Sequence, residues 1–144
     1  MSGITDLGRL LAQMRPVLKE GLFVYCTVPA VEAERWYRLQ PLGTFVEAEG
    51  LTLILPSDVA VAHALSASAP MRMITLSVHS SLEAIGLTAA IATALTGAQI
   101  SANVVAAFHH DHVFVPAADA DRALAALVAL SESGGSGASA DRAS

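Results

Sequence analysis

The sequence predicts an α+β protein in which βαββαβ units recur in tandem, with an antiparallel sheet and helices on one face. Three observations carry that expectation. The hydrophobic period switches repeatedly between three-to-four and two along the chain, so helical and strand segments interleave. Two strand-like runs, Leu42 to Ala48 and Leu51 to Leu55, meet at Glu49-Gly50, where glycine can take the positive φ of a tight hairpin turn. After Met71 the elements run strand, helix, strand, strand, helix, which is the βαββαβ plan short of its last strand.

Taken in order, Asp6 to Met14 carries Leu7, Leu10, Leu11 and Met14 at spacings of three and four, the stripe of a short amphipathic helix that Pro16 ends. Leu22 to Val28 is rich in aromatic and branched residues and reads as a buried strand closed by Pro29. Ala30 to Gln40 mixes charges with Trp36 and Tyr37 and reads as a solvated loop anchored by its aromatics. Beyond the hairpin, Ser57 or Asp58 offers an N-cap to a helix over Val59 to Leu65. Met71 to Val78 alternates as a strand with one strongly apolar face. Ser80 and Glu83 match the capping box of a helix over Glu83 to Thr96, for which Gly97 is the expected C-cap. Ile100 to Phe108 alternates with period two, His109 to His112 forms a turn, and Val113 to Val115 returns. A final helix spans Asp119 to Leu130.

The missing strand of the second unit must then be supplied from elsewhere, and Leu22 to Val28 is the expected donor. Leu42 to Val78 supplies strand, strand, helix and strand, the last four elements of another such unit. The expected organisation is an N-terminal unit over 1–70, a C-terminal unit over 71–130 that borrows 22–28, and a serine- and glycine-rich disordered tail over 131–144.

With 144 residues, 53% hydrophobic and 15% charged, the chain has ample apolar surface for a folded core and is too short for a large multidomain enzyme. The net charge is -5, from 13 acids against 8 bases, and no basic run exists, so nucleic acid is not an expected partner. Cys26 is the one cysteine, which excludes an internal disulfide and fits a reducing, cytoplasmic compartment. No charged residue occurs from Ala84 through Phe108. Gly97, Gln99, Ser101 and Asn103 interrupt that stretch, however, and alanine and threonine enter hydrocarbon only weakly, so no membrane span is expected.

Two segments carry a resemblance to a known family. Thr75 to Ala90 (TLSVHSSLEAIGLTAA) and Ile100 to Pro116 (ISANVVAAFHHDHVFVP), with the shorter Pro41 to Phe45 and Glu47 to Leu53, resemble the small bacterial ACT domain proteins that carry two ACT-like units. The resemblance covers roughly Thr5 to Leu130. It implies tandem ferredoxin-like units and a non-catalytic regulatory module that binds a small molecule, most often an amino acid, at a seam between units. It also implies that His79, Ser80, Ser81, Glu83, Gly86, Leu87, Ser101 and Asn103 line the ligand site. A helix N-terminus would offer its amides to a carboxylate there, and Glu83 would pair with an α-amino group. Many family members have Asp and Pro in this loop where Ser80, Ser81 and Glu83 stand here, so the ligand's identity does not carry over.

Other readings stand beside this one. Ser80 and Glu83 also serve as a plain capping box, and a backbone carbonyl would satisfy Asn103 as well as a ligand. The cluster His109-His110-Asp111-His112 suggests a small metal-dependent or acid-base enzyme. On a strand, however, His110 and His112 share one face and His109 and Asp111 the other, so no metal and no cofactor is expected. A purely structural oligomerisation module is the third reading. The apolar second face of the strand from Ile100 to Phe108 leads to the expectation of a homodimer.

Overall fold

The computed structural model of the chain describes residues 6–78 and 84–143, with 135–143 as backbone alone. The elements are α1 (Leu7–Ala12), β1 (Pro16–Leu18), β2 (Phe23–Val28), a 3₁₀ turn (Ala30–Glu32) leading into α2 (Ala33–Tyr37), β3 (Gly43–Glu47) and β4 (Gly50–Pro56). There follow α3 (Ser57–Ala62), β5 (Met71–Leu76), α4 (Leu87–Gly97), β6 (Asn103–Ala106), β7 (Asp111–Pro116), a second 3₁₀ turn (Ala117–Asp119) and α5 (Ala120–Ala143). They form two compact units, one over residues 20–72 and one assembled from 1–19 and 73–144.

In the 20–72 unit the order β3-β4-β2 is antiparallel throughout, with Thr44 opposite Leu53 and Cys26 opposite Leu53 on the other side. The remaining strand place is filled loosely, by a bridge from Ala67 to Cys26 and by Met71 opposite Phe23. Val24, Cys26, Val28, Leu51, Leu53 and Leu55 point to one face and pack with Trp36 and Ala60. The segment Ala30 to Gln40, expected as a loop, therefore supplies a helical element of this unit beside α3. Its one deeply buried side chain is Trp36, 6% exposed. A single anchoring aromatic among charges leaves no stripe to read in the sequence.

The hairpin lies at its expected place, but its loop is Ala48-Glu49, since Gly50 already pairs with Glu47. Gly50 holds φ 154° and a Cβ there would lie 2.7 Å from the carbonyl oxygen of Val28, so only glycine lets β4 run this close to β2. Ser57 is the first residue of α3 rather than its cap. Pro56 precedes it and no side chain bonds the first turn.

In the discontinuous unit β1, β5, β7 and β6 lie side by side in that order. The strand that completes this unit is Pro16–Leu18, paired antiparallel with Ile74–Leu76, in place of Leu22 to Val28. The longer strand pairs along its whole length with Leu51–Pro56 on one edge and meets β5 on the other only at Phe23 opposite Met71. A three-residue strand beginning with proline carries almost no periodic signal, so the sequence points to the longer run instead.

Ile74, Leu76, Val113 and Val115 turn toward α1, α4 and α5, whose Leu10, Leu11, Ile91, Leu95, Ala123 and Leu127 complete the core. β5 is buried along most of its length, not on one face only. α4 begins at Leu87 and not at Glu83, while Ser80 and Glu83 lie outside the described residues. The tail expected to be disordered continues α5 to Ala143. Gly134 lies against Leu11 so closely that a Cβ would collide with it, so a residue that disfavours helix by composition is the one that admits α1.

Candidate functional site

The end of β5 and the start of α4 form the first candidate site. Gly86 holds φ 97° and hands the chain into α4 with no side-chain cap among the described residues, and the first-turn amides, which have no partner inside the helix, stand at the positive end of its dipole. A Cβ on Gly86 would lie 3.1 Å from Leu7 Cδ2. Leu87 itself is buried in the core with Ile91 and Leu95, so only its backbone faces the helix entrance. His79, Ser80, Ser81 and Glu83 are outside the described residues.

Ser101 and Asn103 are not brought to this entrance. α4 is 11 residues long, about 16 Å at 1.5 Å per residue, and both follow its far end. Exposed Asn103 opens β6 opposite Phe114. His110 instead meets the end of β5. The β6–β7 loop closes with Ala107 N–H donating to the His110 carbonyl at 3.1 Å, and the His110 imidazole Nδ1 lies 3.4 Å from the carbonyl of Val78. The sequence groups His110 with its histidine neighbours and gives no hint of Val78, 32 residues away.

The expected turn from His109 to His112 is in fact split. Asp111 and His112 belong to β7 and pair with Ala106 and Val105. His112 Nδ1 lies 3.0 Å from the buried Thr75 hydroxyl on β5. Burial lowers the His112 pKa below its ordinary value, and nearby His110 and Lys19 push the same way against Asp111. Exposed His109 stacks edge-on against Phe108, ring centroids 5.0 Å apart. Among the described residues no three His, Cys, Asp or Glu side chains gather as a metal site would require.

The 20–72 unit has a cleft of its own that the sequence does not suggest. About 280 Å³ in volume, it lies between β2, β4 and the segment Ser66–Ser68, lined by Tyr25, Cys26, Thr27, Thr52, Ser66, Ala67 and Ser68. Ser68 Oγ accepts from the Tyr25 N–H at 2.9 Å and donates to the Ala69 carbonyl at 3.1 Å. The Thr52 hydroxyl donates to Glu47. Burial raises the pKa of both the Tyr25 phenol and the Cys26 thiol, which disfavours the thiolate on which thiol reactivity depends.

Comparison with known proteins places these features in context. Family models described as the ACT domain match residues 2–72 and 68–129. No curated protein matches the chain. Among solved structures, a Vibrio cholerae protein of unknown function, described as a possible transport protein, is 47% identical, with 90% of this chain and 99% of that one covered and a TM-score of 0.79. An Agrobacterium tumefaciens protein is 17% identical over 83% of this chain and 90% of its own, TM-score 0.65. The regulatory subunit of aspartate kinase from Thermus flavus is 10% identical over 80% and 95%, TM-score 0.57. These last two share the fold. Among the described residues no helix is long and apolar enough to cross a membrane.

Proposed function

Because the chain belongs to the ACT domain family, carrying two such domains in tandem, we propose that it is a non-catalytic regulatory module whose small-molecule ligand is an amino acid. The observation that carries the reading is the entrance of α4, where a left-handed Gly86 leads into the helix with no side-chain cap among the described residues. Such a helix start takes a carboxylate through backbone N–H groups and the helix dipole. The loop 79–83 supplies the remaining contacts in this reading, with Glu83 on the α-amino group. Ser101 and Asn103, at the far end of α4, belong to the site only if a second copy or unit brings them there.

The same reading makes the molecule a cytoplasmic homodimer. Support comes from β3, which pairs with β4 alone among the described strands and exposes Phe45 and Val46 at 70% and 71%. Light scattering at micromolar concentration tests this, and a clean mass of one 14.8 kDa chain would overturn it. Thermal denaturation against each standard amino acid tests the ligand. A ligand at one hundred times its Kd adds about 2.7 kcal/mol to native stability. Gly86→Val should reduce the ligand-dependent shift, and no shift from any amino acid would count against sensing.

A further inference from the structure

Strand parity shapes the cleft of the 20–72 unit. Val24, Cys26, Val28, Leu51 and Leu53 pack into the small core with Trp36 and Ala60. The alternate residues Tyr25, Thr27 and Thr52 therefore turn to the other face of the sheet, as successive side chains on a strand do. Thr27 is opposite Thr52, and Thr52 is opposite Phe45, so Glu47, two residues further along β3, stands on that same face. One side of the cleft is this threonine pair. The other is the segment Ser66–Ser68, which follows the edge of β2 with a single bridge, from Ala67 to Cys26.

Two of the hydroxyls that line the cleft have already committed their hydrogens. Thr52 donates to the Glu47 carboxylate. Ser68 donates to the Ala69 carbonyl at 3.1 Å while its oxygen accepts from the Tyr25 N–H at 2.9 Å. A hydroxyl has one hydrogen and two lone pairs, so what Thr52 and Ser68 still offer is acceptor capacity alone. Thr27 and Ser66 add hydroxyls that can turn either way. No Lys, Arg or His lines the cleft among the described residues, and the charge that Thr52 holds is negative. The cleft is rich in acceptors and stands beside a carboxylate.

We infer that this cleft is a second binding site, distinct from the entrance of α4 in the other unit, and that it takes a small primary ammonium cation that carries no carboxylate. An ammonium group brings three N–H donors and no acceptor, the complement of oxygens whose own hydrogens are spent. The Thr52 and Ser68 oxygens accept from it. Glu47 supplies the opposing charge and, through its bond from the Thr52 hydroxyl, makes that oxygen a stronger acceptor. A free amino acid fits worse, because its carboxylate would meet the Glu47 charge with no cation in the cleft to offset it. The volume of about 280 Å³ is at the small end for ligand pockets and suits a molecule of a few heavy atoms.

The test titrates the full, isotope-labelled chain with ethanolammonium chloride near neutral pH and follows the backbone amides of Tyr25, Thr52 and Ser68 by NMR. Tetramethylammonium chloride and glycerol are run in parallel at matched ionic strength. The first carries the charge without N–H donors, the second donors without the charge. The expected result is a saturable shift of these amides with ethanolammonium alone. Glu47→Gln, a change at an exposed position, should weaken that binding by about tenfold, the scale of one hydrogen bond to a charged group. Thr52→Val, which removes the acceptor oxygen and keeps the shape, should weaken it comparably, and a dispersed amide spectrum shows that each variant is folded. Absence of a saturable shift would overturn the site, and so would an equal shift from tetramethylammonium or glycerol. An affinity left unchanged in either folded variant would overturn it as well.

Discussion

Ile100 donates its backbone N–H to the carbonyl of Leu95 at 2.9 Å, and both side chains are buried in the core of the discontinuous unit. With Gln99 N–H bonded to the Thr96 carbonyl at 2.9 Å, this is the paired bonding of a Schellman motif, complete with its hydrophobic contact. The left-handed position belongs to Gln99, φ 60°, and not to Gly97, which is the last helical residue. Glycine therefore sits where a helix former would serve better, and a helix former sits where glycine would. Gln99→Gly should stabilise the protein by about 1 kcal/mol by removing left-handed strain. Gly97→Ala should add about 0.5–1 kcal/mol, because its Cβ would meet nothing within 4 Å. Urea unfolding of both variants and of the double variant checks the sum.

Gly86 should behave in the opposite way. Its φ of 97° opposes any side chain there, and so does Leu7 Cδ2, which lies 3.1 Å from the place a Cβ would occupy. Gly86→Ala should cost about 1–3 kcal/mol, the usual range for a non-glycine residue forced into such a conformation. Placing Gly86→Ala in a Leu7→Ala background separates steric pressure from backbone strain. A smaller penalty in that background assigns the difference to Leu7, and an unchanged one assigns all of it to φ.

Trp36 anchors the small core of the 20–72 unit, with the Arg35 guanidinium 4.5 Å from its ring centroid and the His63 ring edge-on at 5.9 Å. Trp36→Ala should destabilise by about 3–5 kcal/mol, the range for emptying a buried aromatic site. Trp36→Phe should cost less, because the indole Nε1 is buried with no hydrogen-bond partner among the described residues and its removal relieves that cost. Calorimetry on the two variants orders them.

The parts of the fold that can be read from the sequence are those where one local period dominates. Phe23–Val28, the hairpin of Gly43–Glu47 with Gly50–Pro56, and the four-residue spacing of Leu87, Ile91 and Leu95 are all of this kind. The elements that escape such reading have no local signal. α2 shows one buried side chain in five residues, and β1 is three residues long and becomes a strand only through Ile74–Leu76, far along the chain. The candidate site divides in the same way. Gly86 is legible because only glycine suits its φ, whereas the pairing of His110 with Val78 depends on how the β6–β7 loop closes. Asn103 stands out as a polar residue in an apolar run, but its distance from Gly86 is set by the length of α4, which begins four residues later than its capping pattern suggests.

His112 gives the pH dependence of stability a definite sign. Burial lowers its pKa from the ordinary 6.5, His110 and Lys19 lower it further, and Asp111 opposes them. The native state therefore keeps the imidazole neutral to lower pH than the unfolded chain does. Between the folded pKa and 6.5 the unfolded state binds more protons, so native stability from this group rises with pH through that window. It is fully present above about 6.5, is lost as pH falls toward the folded pKa, and stays flat below it. Urea unfolding from about pH 5 to pH 8 in chloride buffers should show that slope. His112→Gln should flatten it, and Lys19→Ala should shrink it by removing one of the charges that hold the pKa down. A slope that persists unchanged in His112→Gln would assign the dependence to another group.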